Sequence, residues 1–382
     1  MSGSHINDQV NQIEQLMQFV DPRSFSVLGS NGTFRNSTFT LFNPSTTQTP
    51  FFQVFDEAFL TILGPNPSFH EVASNATFPF AHEAPIFVPE TDEVFFASSA
   101  GGPGGSDINH NNQIGKIGMQ AVEVALQAVE GSGQAVDLPA SIQMTNGGTG
   151  PFKSSLVFVT SGRGPLPPSI ALVDPKNPEN TTIILDNFFG RQFNSLNDVK
   201  IHPKSGALFF TDTTYGSLLQ FRPPPLLPNQ VYRLDPITRA LRAVATNFDK
   251  CNGIAFSPNG EIAYVSDTGA LGGSGVNQTE PATIFAYDVD PKTQAFLNRR
   301  ILAYSDTGVP DGLQVDAQGN IYAGCGDGVH VWSPDGTLLG KFFIGTTAAN
   351  MAFAGDGRLV ILAATKIFVA KIAAKEGKVA FP

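Results

Sequence analysis

The stretch CNGIAFSPNGEIAYVSDTG (residues 251–269) contains two Asn-Gly pairs, each standing directly beside an apolar segment. The first pair opens an alternating run, and the second separates that run from another apolar run. Alternation with a period of two, interrupted by a Pro/Asn/Gly turn, is typical of a β-hairpin. The first Asn raises a question, because it begins a strand with a side-chain oxygen of the kind that binds hard cations.

The same hairpin pattern occurs in six copies along the chain. Each copy has a polar first residue, an alternating run, a turn rich in Gly, Pro, Asp or Asn, and a second apolar run. The copies are HEAPIFVPETDEVFFASSAGG from His82, NGGTGPFKSSLVFVTSGRG from Asn146, NDVKIHPKSGALFFTDTTYG from Asn197, NGIAFSPNGEIAYVSDTG from Asn252, DGLQVDAQGNIYAGCGDGVHVW from Asp311 and NMAFAGDGRLVILAATKIFVA from Asn350. Further apolar runs lie between the copies, such as NQVYRLD at 229–235.

This repeat predicts the fold. A spacing of about 40 to 60 residues, with room for four strands per repeat, is that of a β-propeller blade. We therefore predict an all-β fold, with a six-bladed β-propeller as a single domain over residues 49–382 and an N-terminal arm over residues 1–48. We expect the region before residue 80 to supply an outer strand that closes the ring.

Composition limits the classes of partner. The net charge of −10 and the lack of a basic stripe exclude a nucleic-acid partner. No run of 18 apolar residues exists, so no membrane span is expected. Two cysteines do not make a disulfide framework. Five Asn-X-Ser/Thr sequons favour the secretory route, and a cytoplasmic location is also compatible with the sequence. The sequence does not indicate an oligomeric state.

The first polar residues of the six copies form the candidate site. In a propeller, positions at the same register of the innermost strands surround the central axis. Here every one of them is a carboxylate or a carboxamide: Glu83, Asn146, Asn197, Asn252, Asp311 and Asn350. Such oxygens suit Ca²⁺, or another divalent cation such as Mg²⁺, whereas scattered histidines do not suit Zn²⁺. The alternative is that these residues only cap turns, where Asn and Asp are common.

Several motifs resemble one known family. FGRQFNSLNDV (189–199), FTDTTYG (210–216) and YAGCGDGVHVW (322–332) resemble the gluconolactonase/regucalcin-like lactonases, most of all the fungal lactonohydrolases acting on aldonolactones and D-pantolactone. The resemblance runs from about residue 50 to near the C-terminus. It implies a six-bladed propeller with one catalytic divalent cation on the axis, usually Ca²⁺.

The resemblance also implies roles for individual residues. The metal ligands would be Glu83, Asn197, Asn252 and Asp311, with Asn146 and Asn350 as neighbouring or substrate-contacting groups. One departure is Ser195, which stands where regucalcin-type members carry arginine. Recognition of a sugar acid is therefore expected to differ from theirs.

The implied reaction is hydrolysis of a small sugar-acid or pantoyl-type lactone to its hydroxy acid. A cation would polarise the carbonyl, and a side chain would activate water. Candidate bases are Asp311, Asp267 and His82, although regular alternation would point His82 away from a metal held by Glu83. Asp212 and Tyr215 are candidate substrate contacts. In the alternative interpretation Asp267 and Asp212 only close turns.

Two other functions remain open at this stage. The same metal site could serve phosphotriester hydrolysis or a biosynthetic cyclisation, because loop residues select the substrate. The propeller could also be a non-catalytic binding scaffold. A serine hydrolase is excluded, because the chain has no Gly-X-Ser-X-Gly motif and its patterns are β throughout.

Overall fold

The computed structural model describes residues 16–101, 106–124, 129–130, 133–272 and 275–377. Six sheets of four or more strands follow one another along the chain, and each has one of the repeated hairpins at its inner edge. We number these sheets blades 1 to 6. The innermost strand of each blade contacts that of the next, and blade 6 contacts blade 1, so the blades close into a ring. The prediction of an all-β, six-bladed propeller is confirmed.

Blades 1 to 4 are antiparallel sheets, each with four strands that follow one another from the inside outward. Blade 1 contains Glu83–Val88, Glu93–Ala97, Ile114–Gly118 and Gln134–Val136. Blade 2 contains Thr145–Phe152, Ser155–Thr160, Ser169–Asp174 and Asn177–Leu185. Blade 3 contains Leu196–Ile201, Leu208–Asp212, Gln230–Leu234 and Leu241–Ala245. Blade 4 contains Cys251–Phe256, Ile262–Asp267, Thr283–Val289 and Phe296–Tyr304.

Blades 5 and 6 combine both ends of the chain. Blade 5 contains Leu313–Val315, Ile321–Cys325, Gly328–Trp332 and Leu338–Phe343, followed outward by Phe51–Val54 and the parallel strand Met17–Phe19. Blade 6 contains Asn350–Phe353, Arg358–Leu362, Lys366–Lys371 and Ser68–Ser74, with Val129–Glu130 at its edge. Ser68–Ser74 pairs antiparallel with Lys366–Lys371 and is the outer strand that closes the ring, as expected for the region before residue 80.

The remaining elements are short. The α-helices are Ala58–Leu63, Met119–Val124 and Tyr215–Leu218, and Pro22–Phe25 is a 3₁₀-helix. Two small hairpins pair Asn187–Phe188 with Arg191–Gln192 and Leu271–Gly272 with Gly275–Val276. Among the described residues, no helix is long and apolar enough to cross a bilayer.

Phenylalanine side chains fill the spaces between neighbouring blades. Phe209 of blade 3 lies edge-to-face with Phe256 of blade 4 at a centroid distance of 5.0 Å and stacks on Phe296 at 5.5 Å. Phe342 of blade 5 meets Phe69 of blade 6 edge-to-face at 5.8 Å. Such aromatic contacts add to the free energy gained by burial. They hold the blades, and therefore the inner strands, in fixed relative positions.

Candidate metal centre

The first polar residues of the repeats converge where the inner strands meet. Glu83, Asn146, Asn197, Asn252 and Asp311 all line one cavity of about 320 Å³. Asn350 stands behind this lining, because its Nδ2 donates a hydrogen bond of 2.8 Å to Glu83 Oε2. The structure therefore brings five of these six side chains to the cavity and uses the sixth to orient Glu83.

Bulges at the start of the inner strands help to aim these side chains. In blade 3, Leu196 pairs with Asp212 and Val199 with Phe210, so Asn197 lies in a bulge. The same shift surrounds Asn146 in blade 2 and Asn252 in blade 4. A bulge re-aims the residue that it contains, and here that residue faces the cavity.

Blade 1 departs from the common register. Glu83 pairs with Ala97, and the shift follows between Glu83 and Ile86, so Glu83 lies one position earlier than the asparagines of blades 2 to 4. The next residue, Ala84, has a left-handed φ of 52°. This irregular backbone places both Glu83 and its neighbour His82 in the cavity lining. The expectation that alternation turns His82 away was wrong, because the strand is not regular at this point.

A glycine follows three of the six first polar residues, and it makes room for the next blade. Gly260, in the second Asn-Gly pair of the opening stretch, has a left-handed φ of 67° and forms a turn. Gly253, in the first pair, does not have a left-handed φ, but a Cβ there would overlap the carbonyl oxygen of Asp311. A Cβ at Gly312 would overlap Asn350 in the same way. The first Asn-Gly is thus a packing contact between blades rather than a turn.

Three ligand-type side chains form a tight group at the centre of the cavity. One ligand atom each from His82, Glu83 and Asp311 lies within 4.8 Å of the others. His82 Nδ1 is 3.9 Å from Glu83 Oε1, and the His82 side chain is 31% exposed. Buried Nδ1 of His82 and buried Oδ1 of Asp311 have no hydrogen-bond partner within the described structure. Two carboxylates this close together, with no lysine or arginine in the described lining of the cavity, call for a positive charge between them.

The electrostatics agree with this interpretation. Burial, helped by the nearby charge of Asp198, raises the pKa of Glu83 to about 8. Burial and the charge of Glu83 also raise the pKa of Asp311 well above its ordinary value. Each acid makes ionisation of the other harder, and a bound divalent cation would reverse this effect. Carboxylate and amide oxygens in one cavity are the donors that Ca²⁺ prefers, so the residues fit such an ion.

Asp198 is a buried acid that the sequence analysis missed. It follows Asn197 at the position where blades 2, 4 and 5 carry glycine. Its Oδ1 accepts the N–H of Val199 at 2.8 Å, and its Oδ2 accepts the N–H of Ile254 at 3.0 Å. Asp198 therefore ties blade 3 to blade 4 next to Asn252. The Asn-Asp pair in NDV could have revealed it, since all the other copies lack an acid at this point.

Asp267 and Asp212 lie outside the cavity lining. Asp267 is fully buried, and its carboxylate accepts the N–H groups of Asp249 at 2.9 Å and Lys250 at 2.8 Å. Asp212 accepts those of Asn194 and Ser195 in the same way, at 3.0 Å and 2.8 Å. Both carboxylates hold the loop that leads into an inner strand. This arrangement favours their structural interpretation over contact with a substrate or with water.

Of the remaining candidate residues, Tyr215 and Asn146 line the cavity and Ser195 does not. Tyr215 lines the cavity, and its hydroxyl lies 2.5 Å from that of Thr268. Asn146 Nδ2 donates to the carbonyl oxygen of Asn197 at 3.0 Å, which leaves its Oδ1 for other partners. Ser195 is buried, and its hydroxyl accepts the N–H of Gly216 at 3.1 Å. Ser195 therefore stabilises this loop.

Comparison with known proteins agrees with the geometry. Residues 119–365 match the family model described as SMP-30/Gluconolactonase/LRE-like region. Lactonohydrolase oryL of Aspergillus oryzae is 29% identical over 334 residues, covering 81% of this chain and 71% of its own length. Gluconolactonase of Zymomonas mobilis is 31% identical over 208 residues, covering 52% of this chain and 55% of its own.

A solved structure supports the fold. The gluconolactonase XC5397 of Xanthomonas campestris superimposes with a TM-score of 0.64 at 24% identity, covering 85% of this chain and 95% of its own. The resemblance first inferred from short motifs is therefore confirmed over most of the chain. This protein belongs to the SMP-30/gluconolactonase/LRE-like family.

Proposed function

We propose that the protein is a lactonase that uses a divalent cation, Ca²⁺ first among the candidates, to hydrolyse small sugar-acid or pantoyl-type lactones to their hydroxy acids. The hydrolase class follows from the family and from the relatives that are named lactonohydrolases. The observation that carries the proposal is the convergence of His82, Glu83 and Asp311, with a buried unpaired oxygen on Asp311.

Glu83, Asn197, Asn252 and Asp311 would hold the cation. When bound, it would supply a Lewis acid for the lactone carbonyl. Glu83 and Asp311 together carry two negative charges, which balance the charge of a divalent ion. Without the ion, the two acids only repel each other. Asn350 holds Oε2 of Glu83, so the carboxylate has one fixed orientation.

His82 is the strongest candidate for the general base. Its ring lies in the cavity lining beside both acids, and its buried Nδ1 has no partner in the described structure. A neutral imidazole can take the proton of the attacking water and return it to the ring oxygen as the ester opens. Asp311 is weaker in this role, because a carboxylate that binds a cation has a low pKa. Asp267 is weaker still, because its oxygens are occupied by backbone amides.

The test is a pH-stat assay of acid release from glucono-δ-lactone and D-pantolactone. The enzyme is assayed as isolated, after removal of metals by a chelator, and after addition of Ca²⁺, Mg²⁺ or Mn²⁺. We expect chelation to abolish hydrolysis and Ca²⁺ to restore it. Hydrolysis that is indifferent to chelation would contradict the metal-dependent mechanism.

A further inference from the structure

The lining of the cavity at the candidate metal centre divides into an oxygen-bearing part, which we call the floor, and an apolar part, which we call the rim. The floor consists of the oxygen-bearing residues described above. The rim consists of Ala100, Leu219, Phe221, Leu271 and Val309, of which Leu271 is 40% exposed while Phe221 and Val309 are buried. The described lining contains no lysine or arginine. A substrate that enters this cavity therefore meets both polar groups and hydrocarbon.

The hydroxyl groups near the rim are already engaged with the protein. Thr268 Oγ1 donates to the carbonyl oxygen of Lys250 at 3.2 Å, and it lies 2.5 Å from the Tyr215 hydroxyl. Ser161 Oγ donates to the carbonyl oxygen of Leu196 at 3.1 Å. Three of the four hydroxyl-bearing side chains of the lining are thus turned toward the backbone or toward each other.

We propose that the preferred substrates are lactones that carry an alkyl substituent, which packs against this apolar rim, rather than fully hydroxylated sugar lactones. This inference rests on the proposed lactone hydrolysis and shifts the preferred substrates from sugar lactones toward alkyl-substituted ones. The lactone group lies against the oxygen-bearing floor, and the substituent packs against Leu219, Leu271 and Val309. These three side chains determine specificity without taking part in the reaction.

The physical basis is the difference between burying hydrocarbon and burying hydroxyl groups. A sugar lactone places several hydroxyls in the cavity, and each loses its hydrogen bonds to water where the rim offers no partner. An alkyl group instead gains from burial, by about fourfold in affinity for each methylene group that leaves water. The two substrate types should therefore separate clearly in kcat/KM.

The experiment measures kcat/KM for γ-valerolactone, γ-hexalactone and γ-octalactone against D-galactono-1,4-lactone. The Ca²⁺-loaded enzyme is used, and each value is normalised to the rate of hydroxide-catalysed hydrolysis of the same lactone. We expect a rise of at least tenfold from γ-valerolactone to γ-octalactone, and values for γ-octalactone at least tenfold above the sugar lactone. Equal or higher values for the sugar lactone would overturn the inference.

Substitutions of rim residues test whether these side chains cause the preference for alkyl lactones. Leu271→Asn and Leu219→Asn should each reduce the rise along the alkyl series to a few-fold at most. The control is Leu297→Asn, on the outer strand of blade 4, where the leucine is 46% exposed and lies away from the cavity. It should keep the full rise, and a rise that survives in both rim variants would overturn the inference.

The same assay separates this inference from the proposed function. If γ-butyrolactone, all alkyl lactones and all sugar lactones resist hydrolysis in the presence of Ca²⁺, the proposed function fails and the inference fails with it. If sugar lactones are hydrolysed best, with metal dependence, only the inference fails.

Discussion

Asp267 is fully buried and Asp311 is half-buried with a buried Oδ1, and the oxygens of the two aspartates have different partners. Oδ1 of Asp311 has none in the described structure, whereas the two oxygens of Asp267 accept three backbone N–H groups. An unpaired buried carboxylate is destabilising unless a ligand uses it, and a capped one stabilises its loop. The same substitution at each of the two residues can therefore separate an effect on function from an effect on stability.

We expect Asp311→Asn to lower kcat/KM by at least a hundredfold and to weaken Ca²⁺ binding, because the site loses one of its two negative charges. Asp267→Asn should reduce the free energy of unfolding by about 1–3 kcal/mol, because one amide of the loop loses its acceptor. It should retain most of the Ca²⁺ affinity. Calorimetric Ca²⁺ titration and urea unfolding of both variants measure this, and the opposite pattern would reverse the assignment.

His82 tests the choice of general base. His82→Gln keeps a polar side chain but removes the imidazole, so we expect kcat to fall about 10²- to 10⁴-fold. Ca²⁺ affinity should change much less, because Glu83 and Asp311 remain. His110→Gln is the control, since the His110 side chain is 69% exposed and lies outside the cavity lining. A normal kcat in His82→Gln would move the role of base to another group.

At this scale the sequence predicted most of the residues that line the candidate site, but not all of them. Glu83, Asn252 and Asp311 could be found because each opens a copy of a visible repeat. The orientation of His82 could not, because it depends on a bulge and on the left-handed φ of Ala84. Asp198 could not be identified from the sequence, because its role is to accept the N–H of Ile254. That residue belongs to another blade and lies 56 positions away along the chain.

The inner strands approach one another closely at their glycines. Gly253 of blade 4 packs against the Asp311 carbonyl of blade 5, and Ser266 Oγ donates to that same carbonyl oxygen at 2.8 Å. The backbone of Asp311 is therefore held from the neighbouring blade on two sides. Any group added at Gly253 has to displace the residue that carries the Asp311 carboxylate.

We expect Gly253→Ala to weaken Ca²⁺ binding by at least tenfold and to reduce stability by about 1–3 kcal/mol, as overpacking does elsewhere. Gly118→Ala is the matched control, because this strand glycine has open space where its Cβ would lie. Both variants are compared by Ca²⁺ titration and chemical unfolding. Unchanged Ca²⁺ affinity in Gly253→Ala would show that the close approach is not needed to position Asp311.

Blade 5 contains a buried group of charges away from the cavity. Lys341 is fully buried, and its Nζ lies 3.1 Å from Asp327 Oδ2 and 2.8 Å from Asp306 Oδ1. Asp327 Oδ1 also pairs with His330 Nε2 at 2.5 Å. Asp306 in turn meets Arg35 of the N-terminal segment at 3.3 Å. These ion pairs connect that segment to the blade.

Removing one partner from such a network should be strongly destabilising. We expect Lys341→Met to reduce the free energy of unfolding by about 3–5 kcal/mol, because it removes a fully buried cation that Asp327 and Asp306 share and leaves each acid with one partner fewer. Lys176→Met should change it by less than about 1 kcal/mol, because the pair of Lys176 with Glu90 is exposed. Urea unfolding checks both, and similar small effects would show that the buried network contributes little.

The ring as a whole depends on residues that are far apart in sequence. Period-two runs at regular spacing were enough to predict six blades, because each hairpin is a local structure. The outer strands of blade 5 were not predictable in the same way. Phe51–Val54 pairs with Leu338–Phe343, and Met17–Phe19 adds a parallel strand beyond it. When a strand pairs with a segment that is far away in the sequence, neither segment shows a periodic pattern that reveals the pairing.

The proposed metal centre links all the blades that contribute oxygens, so its occupation should affect the stability of the whole molecule. Burial raises the pKa of Glu83 from an ordinary value of 4.5 to about 8. Without a cation, the folded state therefore holds a proton that the unfolded state releases, and stability falls as the pH rises through this window. The slope for one such group is at most about 1.4 kcal/mol per pH unit.

We therefore expect the chelated protein to unfold at a lower temperature at pH 8 than at pH 6, and Ca²⁺ to stabilise it more at pH 8, because the ion binds the ionised acids. Glu83→Gln should flatten this pH dependence in the chelated protein, since the glutamine does not titrate, and should also reduce the stabilisation by Ca²⁺. The midpoint temperature of thermal unfolding is measured for both proteins at pH 6 and at pH 8, once with chelator and once with Ca²⁺. A chelated protein that gains stability between pH 6 and pH 8, or an equal effect of Ca²⁺ at both, would contradict a cation site built on these buried carboxylates.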